Sequence, residues 1–272
     1  MLLSLVLQLR PCQSCGLPAT LGNALHALFI DIVARKDWGM AHDLHAARAE
    51  KPFAVSPLHG DFVSNNGCLW LSDQKEYWVR FSTVESQLSS LLLEVKDSLD
   101  EVEIFHETFR VIRATADASQ HPWAGQTTFE HMYNSVVASP QPRSHKIRMS
   151  FLSPTTFRCG RKNIPLPIPR LVFLHLSQKW NAFSRVDLGS NIADIVDERM
   201  SLARHSIRTT VLNFGNHKQV GFVGDCEFLI HGMDDIPARI FHLLAEFAFY
   251  AGVGHKTTMG MGEARLVLDG VH

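Results

Sequence analysis

The sequence predicts an α+β fold of two consecutive domains, and three features lead to that prediction. The first is the length of 272 residues, 46% of them hydrophobic, which suits one large domain or two smaller ones. The second is the periodicity, because segments with strand-like alternation are interleaved with segments whose apolar residues recur every three to four positions. The third is a proline- and serine-rich stretch at 138–145, which is typical of a domain boundary.

The first domain is predicted to span residues 1–139. Its first helix is indicated by the i, i+3, i+4, i+7, i+8 pattern of Leu25, Leu28, Phe29, Ile32 and Val33. The pattern predicts strands at 2–10, 53–60, 68–72 and 76–84 and a strand pair at 101–115, with a loop at 11–20. Helices are predicted at 21–36, 37–51 and 85–99, and Asp37 is the predicted N-cap of the second. The main elements therefore follow the order β-α-β-β-α-β, which is typical of a ferredoxin-like domain.

The second domain is predicted to span residues 145–272 and to repeat that order. A strand is expected at 145–153 and a helix from about Arg170, and residues 208–230 favour two or three strands. Pro237 is expected near the first turn of a long amphipathic helix, and residues 263–268 favour a last strand. The two halves would repeat a fold without repeating a sequence.

Hydropathy and cysteine usage exclude several classes of protein. Residues 2–9 are apolar but too few to cross a bilayer, and they lack the flanks of a signal peptide, so we expect a cytoplasmic protein. The five cysteines are scattered, as in a reducing compartment. Cys12 and Cys15 have no second pair with matching spacing, so they are interpreted as structural. We expect no metal site and no cofactor.

The charge is unevenly distributed although the formal net charge is only −1. Residues 131–186 contain nine Lys and Arg residues and no Asp or Glu. Such a stretch is typical of a surface that binds phosphates. The predicted contacts from this stretch are Arg143, Lys146, Arg148, Arg158, Arg161 and Lys162.

The segment 250–266, YAGVGHKTTMGMGEARL, concentrates glycines near the end of the chain. A glycine after a helix can serve only as a C-cap, but glycines before a strand indicate close approach of another backbone or a ligand. Backbone N–H groups in such a loop can form an anion site. The RNA-binding residues predicted here are Gly252, Gly254, His255, Lys256, Gly260 and Gly262.

This segment resembles the C-terminal glycine-rich signature of the CRISPR-associated RNA-processing endoribonucleases, the sixth Cas family within the RAMP superfamily. Residues 25–60, LHALFIDIVARKDWGMAHDLHAARAEKPFAVSPLHG, are similar to the opening of that family, and FLSPTTFR, PLPIPRLVF and WNAF resemble landmarks of its second domain. The resemblance implies two RRM-like, ferredoxin-like domains and metal-independent cleavage within CRISPR repeat RNA. The implied products carry a 5′-hydroxyl and a 2′,3′-cyclic phosphate.

The resemblance also implies partners. These are precursor and mature guide RNA, with other Cas subunits of an effector complex as further candidates, no membrane, and a monomer or a homodimer as the oligomeric state.

Cleavage by the substrate's own 2′-hydroxyl needs a base, an acid and a group that stabilises charge on the phosphorane. His45 matches the family's catalytic histidine, and Lys51 is expected to stabilise the developing charge. Some relatives carry a tyrosine on the first helix where this chain has Phe29 and Ile30. His26 is one candidate for that role, and His42 is another.

Two other readings remain open at the level of sequence. An RNA-binding subunit of a CRISPR effector complex would share the fold and the basic stretch without cleaving, but it would need neither His45 nor Lys51. A small-molecule enzyme would account for the histidines but not for the stretch without acidic residues.

Overall fold

A computed structural model describes residues 1–46, 50–138, 143–189, 191–215, 217–232 and 235–267. The chain divides into two compact units. The first contains Met1–Gln126, Asn213–Lys218 and Thr258–Gly260, and the second contains Thr127–Leu212, Gln219–Thr257 and Met261–His272. Residues 139–142 of the expected boundary, 47–49 of the expected second helix and 268 of the expected last strand lie outside the described residues.

The first unit is an antiparallel sheet with helices on one face. Its elements are β1 (Leu2–Pro11), β2 (Cys15–Pro18), α1 (Gly22–Ala34), α2 (Trp38–Ala46), β3 (Phe53–Val55), β4 (His59–Gly60), β5 (Val63–Asn65), β6 (Cys68–Leu71), β7 (Tyr77–Thr83), α3 (Ser86–Val95), β8 (Glu101–Ile104), β9 (Glu107–Thr115) and β10 (Gly125–Thr127). The main strands are ordered β3-β7-β1-β9-β8. Alternate residues of β1, from Leu3 to Leu9, enter a core shared with α1 and α3.

The second unit repeats this arrangement. Its elements are α4 (Phe129–Val136), β11 (Lys146–Thr155), β12 (Phe157–Cys159), β13 (Lys162–Ile164), α5 (Pro169–Phe183), α6 (Ile192–Arg199), β14 (Met200–Asn213), β15 (Lys218–Ile230), α7 (Asp235–Ala251) and β16 (Ala264–Leu266). The sheet order is β14-β15-β11-β16. Phe173 of α5 meets Phe228 of β15 and Phe241 of α7 at ring-centroid distances of 5.2 and 5.3 Å, so one aromatic cluster joins both helices to the sheet.

The predicted α+β fold with two ferredoxin-like units is confirmed. In each unit the first strand lies between the third and the fourth of the β-α-β-β-α-β series, which is the ferredoxin-like order. Every pairing of these main strands for which a register is given is antiparallel. No helix within the described ranges is long and apolar enough to cross a membrane.

Several local predictions were wrong. The predicted loop at 11–20 contains β2, in which Cys15 and Leu17 are buried, and β2 pairs with β6. Residues 68–71 therefore belong to a separate sheet of order β2-β6-β5. The helices α4 and α6 were missed because each has only eight residues, too few for a clear period. The strand β14 begins at Met200, before the expected 208. The early start was missed because this strand is largely exposed and polar and so lacks a clear apolar alternation.

The N-terminal residue of α1 is a glycine for a steric reason. A Cβ at Gly22 would lie 2.2 Å from the carbonyl oxygen of Met259, which belongs to the same unit. The helix can approach that carbonyl only because Gly22 has no side chain.

Gly22→Ala is therefore expected to destabilise the protein by about 1–3 kcal/mol, since overpacking forces backbone shifts. Helix propensity alone predicts the opposite sign, because alanine is favoured over glycine by about 1 kcal/mol in a helix. Denaturant unfolding of the variant measures the sign. The control is Ala27→Gly on the exposed face of α1, which should cost about 1 kcal/mol from propensity alone. A Gly22→Ala protein more stable than the parent would contradict the close approach.

Candidate active site

Two histidines from consecutive helices lie together in the first unit. His26 is half-buried on α1, and His45 is exposed in the last turn of α2. The helix α2 buries Ala41 and Leu44, which leaves His45 on the open side. The ring centroids of His26 and His45 are 6.5 Å apart. This separation is beyond direct hydrogen bonding between the rings.

A hydrogen bond fixes the tautomer of His26. Its Nδ1 lies 3.1 Å from the carbonyl oxygen of Thr258, and a carbonyl can only accept, so neutral His26 carries its proton on Nδ1. Burial lowers the pKa of His26, and this effect outweighs the Thr258 hydrogen bond, which raises the pKa. The nearby charges of Lys51 and His45 lower the pKa further. His26 therefore has a free lone pair on Nε2 near neutral pH.

Lys51 stabilises the end of the helix that carries His45. Its Nζ donates to the carbonyl oxygen of Leu44 and lies 3.4 Å from that of His45. A cation at a helix C-terminus interacts favourably with the last carbonyl groups and the helix dipole. Burial lowers the pKa of Lys51. The side chain thus supports α2 and places a cation beside the two histidines.

The other candidates from the sequence contact other side chains. Phe29 is fully buried and stacks on Phe53 at 4.1 Å, so it belongs to the core and leaves no polar group at that position. His42 is exposed and stacks on Trp38 at 5.3 Å. The structure thus brings His26, His45 and Lys51 together, whereas His42 has a different partner.

The glycine segment is shaped mainly by contacts within the chain. The four backbone φ angles are positive: 67° at Gly252, 85° at Gly254, 80° at Gly260 and 73° at Gly262. A Cβ at Gly254 would lie 2.4 Å from the carbonyl oxygen of Thr156, and one at Gly262 would lie 2.1 Å from that of Val253. At Gly260 a Cβ would make only ordinary contacts, so the backbone conformation alone favours glycine there.

The N–H groups of this segment also find partners inside the chain. The N–H of Gly252 donates to the carbonyl oxygen of Ala248 at 2.9 Å, and that of Gly254 donates to Nδ1 of His175 at 3.3 Å. The N–H of His255 donates to the carbonyl oxygen of Thr156 at 2.7 Å, and that of Gly262 donates to the carbonyl oxygen of Pro154 at 3.1 Å. These four N–H groups are therefore engaged within the chain, and RNA contact at the glycines stays a prediction.

Two residues of α5 that the sequence analysis did not single out support the segment. His175 is partly buried, and burial together with the nearby charges of Lys179 and His255 lowers its pKa to about 3, so it stays neutral. Lys179 is also buried and donates from Nζ to the carbonyl oxygen of Ala251 at 2.6 Å. The i, i+4 spacing of these two residues was the available signal, but the burial of Lys179 was not evident from the sequence.

Three of the predicted basic residues lie on the hairpin formed by β12 and β13. Arg158, Arg161 and Lys162 are all exposed, and β12 and β13 pair from Phe157 to Ile164. The pKa of His255 is lowered first by burial, then by the charge of Lys256 and then by the charge of Arg158. The effect of Arg158 indicates that the hairpin lies beside the glycine segment. These residues form a cluster of positive charge in the second unit.

The remaining basic residues have acidic neighbours. Arg143 lies 3.8 Å from Glu246, and the Nε of Arg148 donates to Glu227 at 2.8 Å. Lys146 is exposed on the same strand as Arg148. The sequence stretch contained no acidic residue, but folding supplies carboxylates from β15 and α7.

Family comparisons give these sites a context. The family model for the CRISPR-associated endoribonuclease Cas6 matches residues 149–264, and that for the CRISPR Cas6 N-terminal domain matches residues 1–134. The chain belongs to the Cas6 family. The CRISPR-associated endoribonuclease Cas6 of Mycobacterium tuberculosis (strain ATCC 25618 / H37Rv) is 32% identical over 129 residues, which are 46% of this chain and 40% of the relative. That of Streptococcus thermophilus is 26% identical over 118 residues, which are 43% of this chain and 48% of the relative. The chain thus spans less than half the length of these curated Cas6 relatives.

Solved Cas6 structures match over a larger share of the chain. The Cas6 (TTHB231) product complex has a TM-score of 0.80 at 26% identity and covers 98% of this chain and 100% of its own. The Cas6 (TTHA0078) product complex has a TM-score of 0.78 at 28% identity, and the match covers 98% of this chain and 99% of that one. Thermus thermophilus Cas6 (TTHB231) has a TM-score of 0.74 at 25% identity and covers 98% of each chain.

Replacing Lys51 by alanine is expected to raise the pKa of His26. The ammonium group disfavours the imidazolium form, so its removal makes protonation of His26 easier, while burial still holds the pKa below its ordinary value. Titration of the His26 ring signals by NMR measures this. Lys51→Arg keeps the charge and should keep the pKa low. An unchanged or lower pKa in Lys51→Ala would contradict the electrostatic coupling.

Proposed function

We propose that this chain is a metal-independent endoribonuclease that cleaves CRISPR precursor RNA within the repeat to give mature guide RNAs. The observation that carries the proposal is the His26–His45 pair, 6.5 Å apart and next to Lys51, in a member of the Cas6 family. The 2′-hydroxyl attacks the adjacent phosphorus and the bond to the 5′-oxygen breaks. One product then carries a 2′,3′-cyclic phosphate and the other a 5′-hydroxyl.

His26 is the group suited to accept the proton of the 2′-hydroxyl. A base must be neutral and have a lone pair directed at the substrate, and the hydrogen bond to Thr258 leaves Nε2 in that state. The lowered pKa keeps the ring neutral near pH 7. This role takes the place of the tyrosine that some relatives carry, although His26 is on the same helix as Phe29 rather than at that position.

His45 is then the proton donor to the leaving 5′-oxygen. Its ring is exposed across the gap from His26, where one phosphodiester would contact both rings. Lys51 contributes positive charge as the phosphorane gains negative charge, and it holds the C-terminal end of α2 so that His45 stays in place. The three requirements of the reaction are thus met by three side chains.

Repeat RNA is the proposed partner of the positive cluster in the second unit. Arg158, Arg161 and Lys162 of the hairpin and the side chains of His255 and Lys256 would contact its phosphates. Two similar structures are product complexes and another is a substrate mimic complex, which supports RNA as the ligand.

We assign residues 1–139 and 145–272 as the two domains, supported by the family matches at 1–134 and 149–264. We place the protein in the cytoplasm, a reducing compartment that suits five free cysteines.

The protein is expected to cut its repeat RNA in the presence of EDTA and to leave a cyclic phosphate. The side chains supply the base, the acid and the cation, so the reaction needs no added ion. Product termini are identified by mass spectrometry. A strict requirement for magnesium would refute the mechanism, and so would cleavage of RNA with a 2′-deoxy residue just upstream of the cut, because that RNA lacks the nucleophile.

His45→Ala is expected to lower the single-turnover rate by about 10²-fold or more with little loss of RNA affinity. The reason is that a proton donor to the leaving group acts mainly in the transition state. The matched control is His131→Ala, which removes an exposed histidine from helix α4 and should leave the rate unchanged. A His45→Ala rate within a few-fold of the parent would exclude His45 as the acid.

A further inference from the structure

Trp38, the first residue of α2, is 72% exposed. Single exposed apolar residues are common on protein surfaces and need no explanation by themselves. Trp38, however, is stacked on His42, with ring centroids 5.3 Å apart and planes inclined by 16°. We call these two side chains the Trp38–His42 stack.

The stack lies on the helix that carries His45. Trp38, His42 and His45 are at i, i+4 and i+7, so they share one face of α2, and all three are exposed. The buried residues Ala41 and Leu44 hold an adjacent side of that helix against the core. At 1.5 Å of rise per residue, Trp38 lies about 10 Å along the axis from His45. That distance corresponds to a few nucleotides of a single strand.

The N-terminal end of α2, where Trp38 lies, is capped by a side-chain hydrogen bond. Asp37 caps it by accepting a hydrogen bond from the N–H of Met40 at 2.9 Å, as the sequence predicted. Gly39, next to Trp38, adds no side chain that could cover the indole. The cap thus fixes the backbone at the start of α2, and much of the Trp38 surface is open to solvent.

We propose that the Trp38–His42 stack binds a nucleobase of the RNA within three nucleotides of the scissile phosphate. This inference rests on the proposed function, because the phosphate is placed by His26 and His45. A base continues an existing stack of nearly parallel rings, and every base has the flat face that such stacking needs. The stack would fix the path of the strand, so that the next phosphates reach the two histidines.

The surroundings favour a base over a protein surface as the occupant. The exposed residues beside Trp38 in sequence are Arg35, Lys36, Asp37 and Gly39, and Asp43 follows His42. Trp38 thus has polar neighbours along the chain rather than the extended apolar patch typical of protein docking. A single flat ring with polar neighbours suits one flat ligand.

The first test measures binding and cleavage separately. Trp38→Ala should weaken binding of a 2′-deoxy, uncleavable repeat RNA by about tenfold, the range expected when one base loses its stacking partner. Trp38→Phe retains a ring and should recover most of the affinity. The matched control is Trp70→Ala, which removes a tryptophan that is 57% exposed on β6, a strand of the β2-β6-β5 sheet, instead of on α2. Thermal unfolding of each variant confirms that it is folded.

The second test identifies the base. Abasic residues are placed one at a time at the three nucleotides on each side of the cut, and binding is measured for the parent protein and for Trp38→Ala. At one position the abasic substitution should weaken the parent by about tenfold but leave Trp38→Ala unchanged, which is the signature of a coupled pair in a double-mutant cycle.

The outcomes separate the two proposals. If the parent protein neither binds nor cuts the repeat, the proposed function fails and this inference fails with it. If the parent cuts the repeat and Trp38→Ala binds as tightly as Trp70→Ala does, the function stands and the stack has no role in binding. If Trp38→Ala binds more weakly but shows coupling at none of the six positions, the stack contacts something other than a base near the cut and the inference is overturned.

Discussion

The candidate active site depends on where the backbone of residues 258–260 meets helix α1. Gly22 and His26 are one turn apart on that helix, and both face this short segment. Gly22 provides space for the carbonyl group of Met259, and His26 donates to the carbonyl group of Thr258. A side chain at Gly22 would move the helix, and that movement would release the His26 ring. The backbone of residues 258–260 therefore determines how close α1 lies and which tautomer His26, the proposed base, adopts.

Helix α2 solves a related problem by other means. It has only nine residues, which is too short to be stable by propensity alone, and its ends are fixed by charged side chains. Asp37 accepts from the N-terminal turn, and Lys51 donates to the C-terminal carbonyl groups. Both charges match the helix dipole. Because the ends are fixed, the exposed face of α2 can carry the polar and aromatic residues Trp38, His42 and His45 without being stabilised by their burial.

The sequence predicted the succession of the main strands and helices along the chain in both units, because hydrophobic periodicity depends on local contacts with the core. It predicted His45 and Lys51 only through the resemblance to a family. The partner of His26 was not predictable, because it is a main-chain carbonyl 232 residues away and carries no residue-specific signal. The strand β2 was hidden for a similar reason: its pairing with β6 is decided by a partner about 50 residues later, while its own Cys, Gly and Pro residues indicate a loop.

The glycine segment shows why the same residue pattern can indicate two different contacts. Close backbone approach was expected at this segment, and at Gly254 and Gly262 the approaching group is a carbonyl of the chain itself. A glycine near a strand indicates a close neighbouring group, but it does not indicate whether that group belongs to a ligand or to the protein itself. RNA contact at the four glycines stays a prediction. The side chains of His255 and Lys256 lie next to these glycines, and their atoms are distinct from the main-chain groups that the tight turn uses.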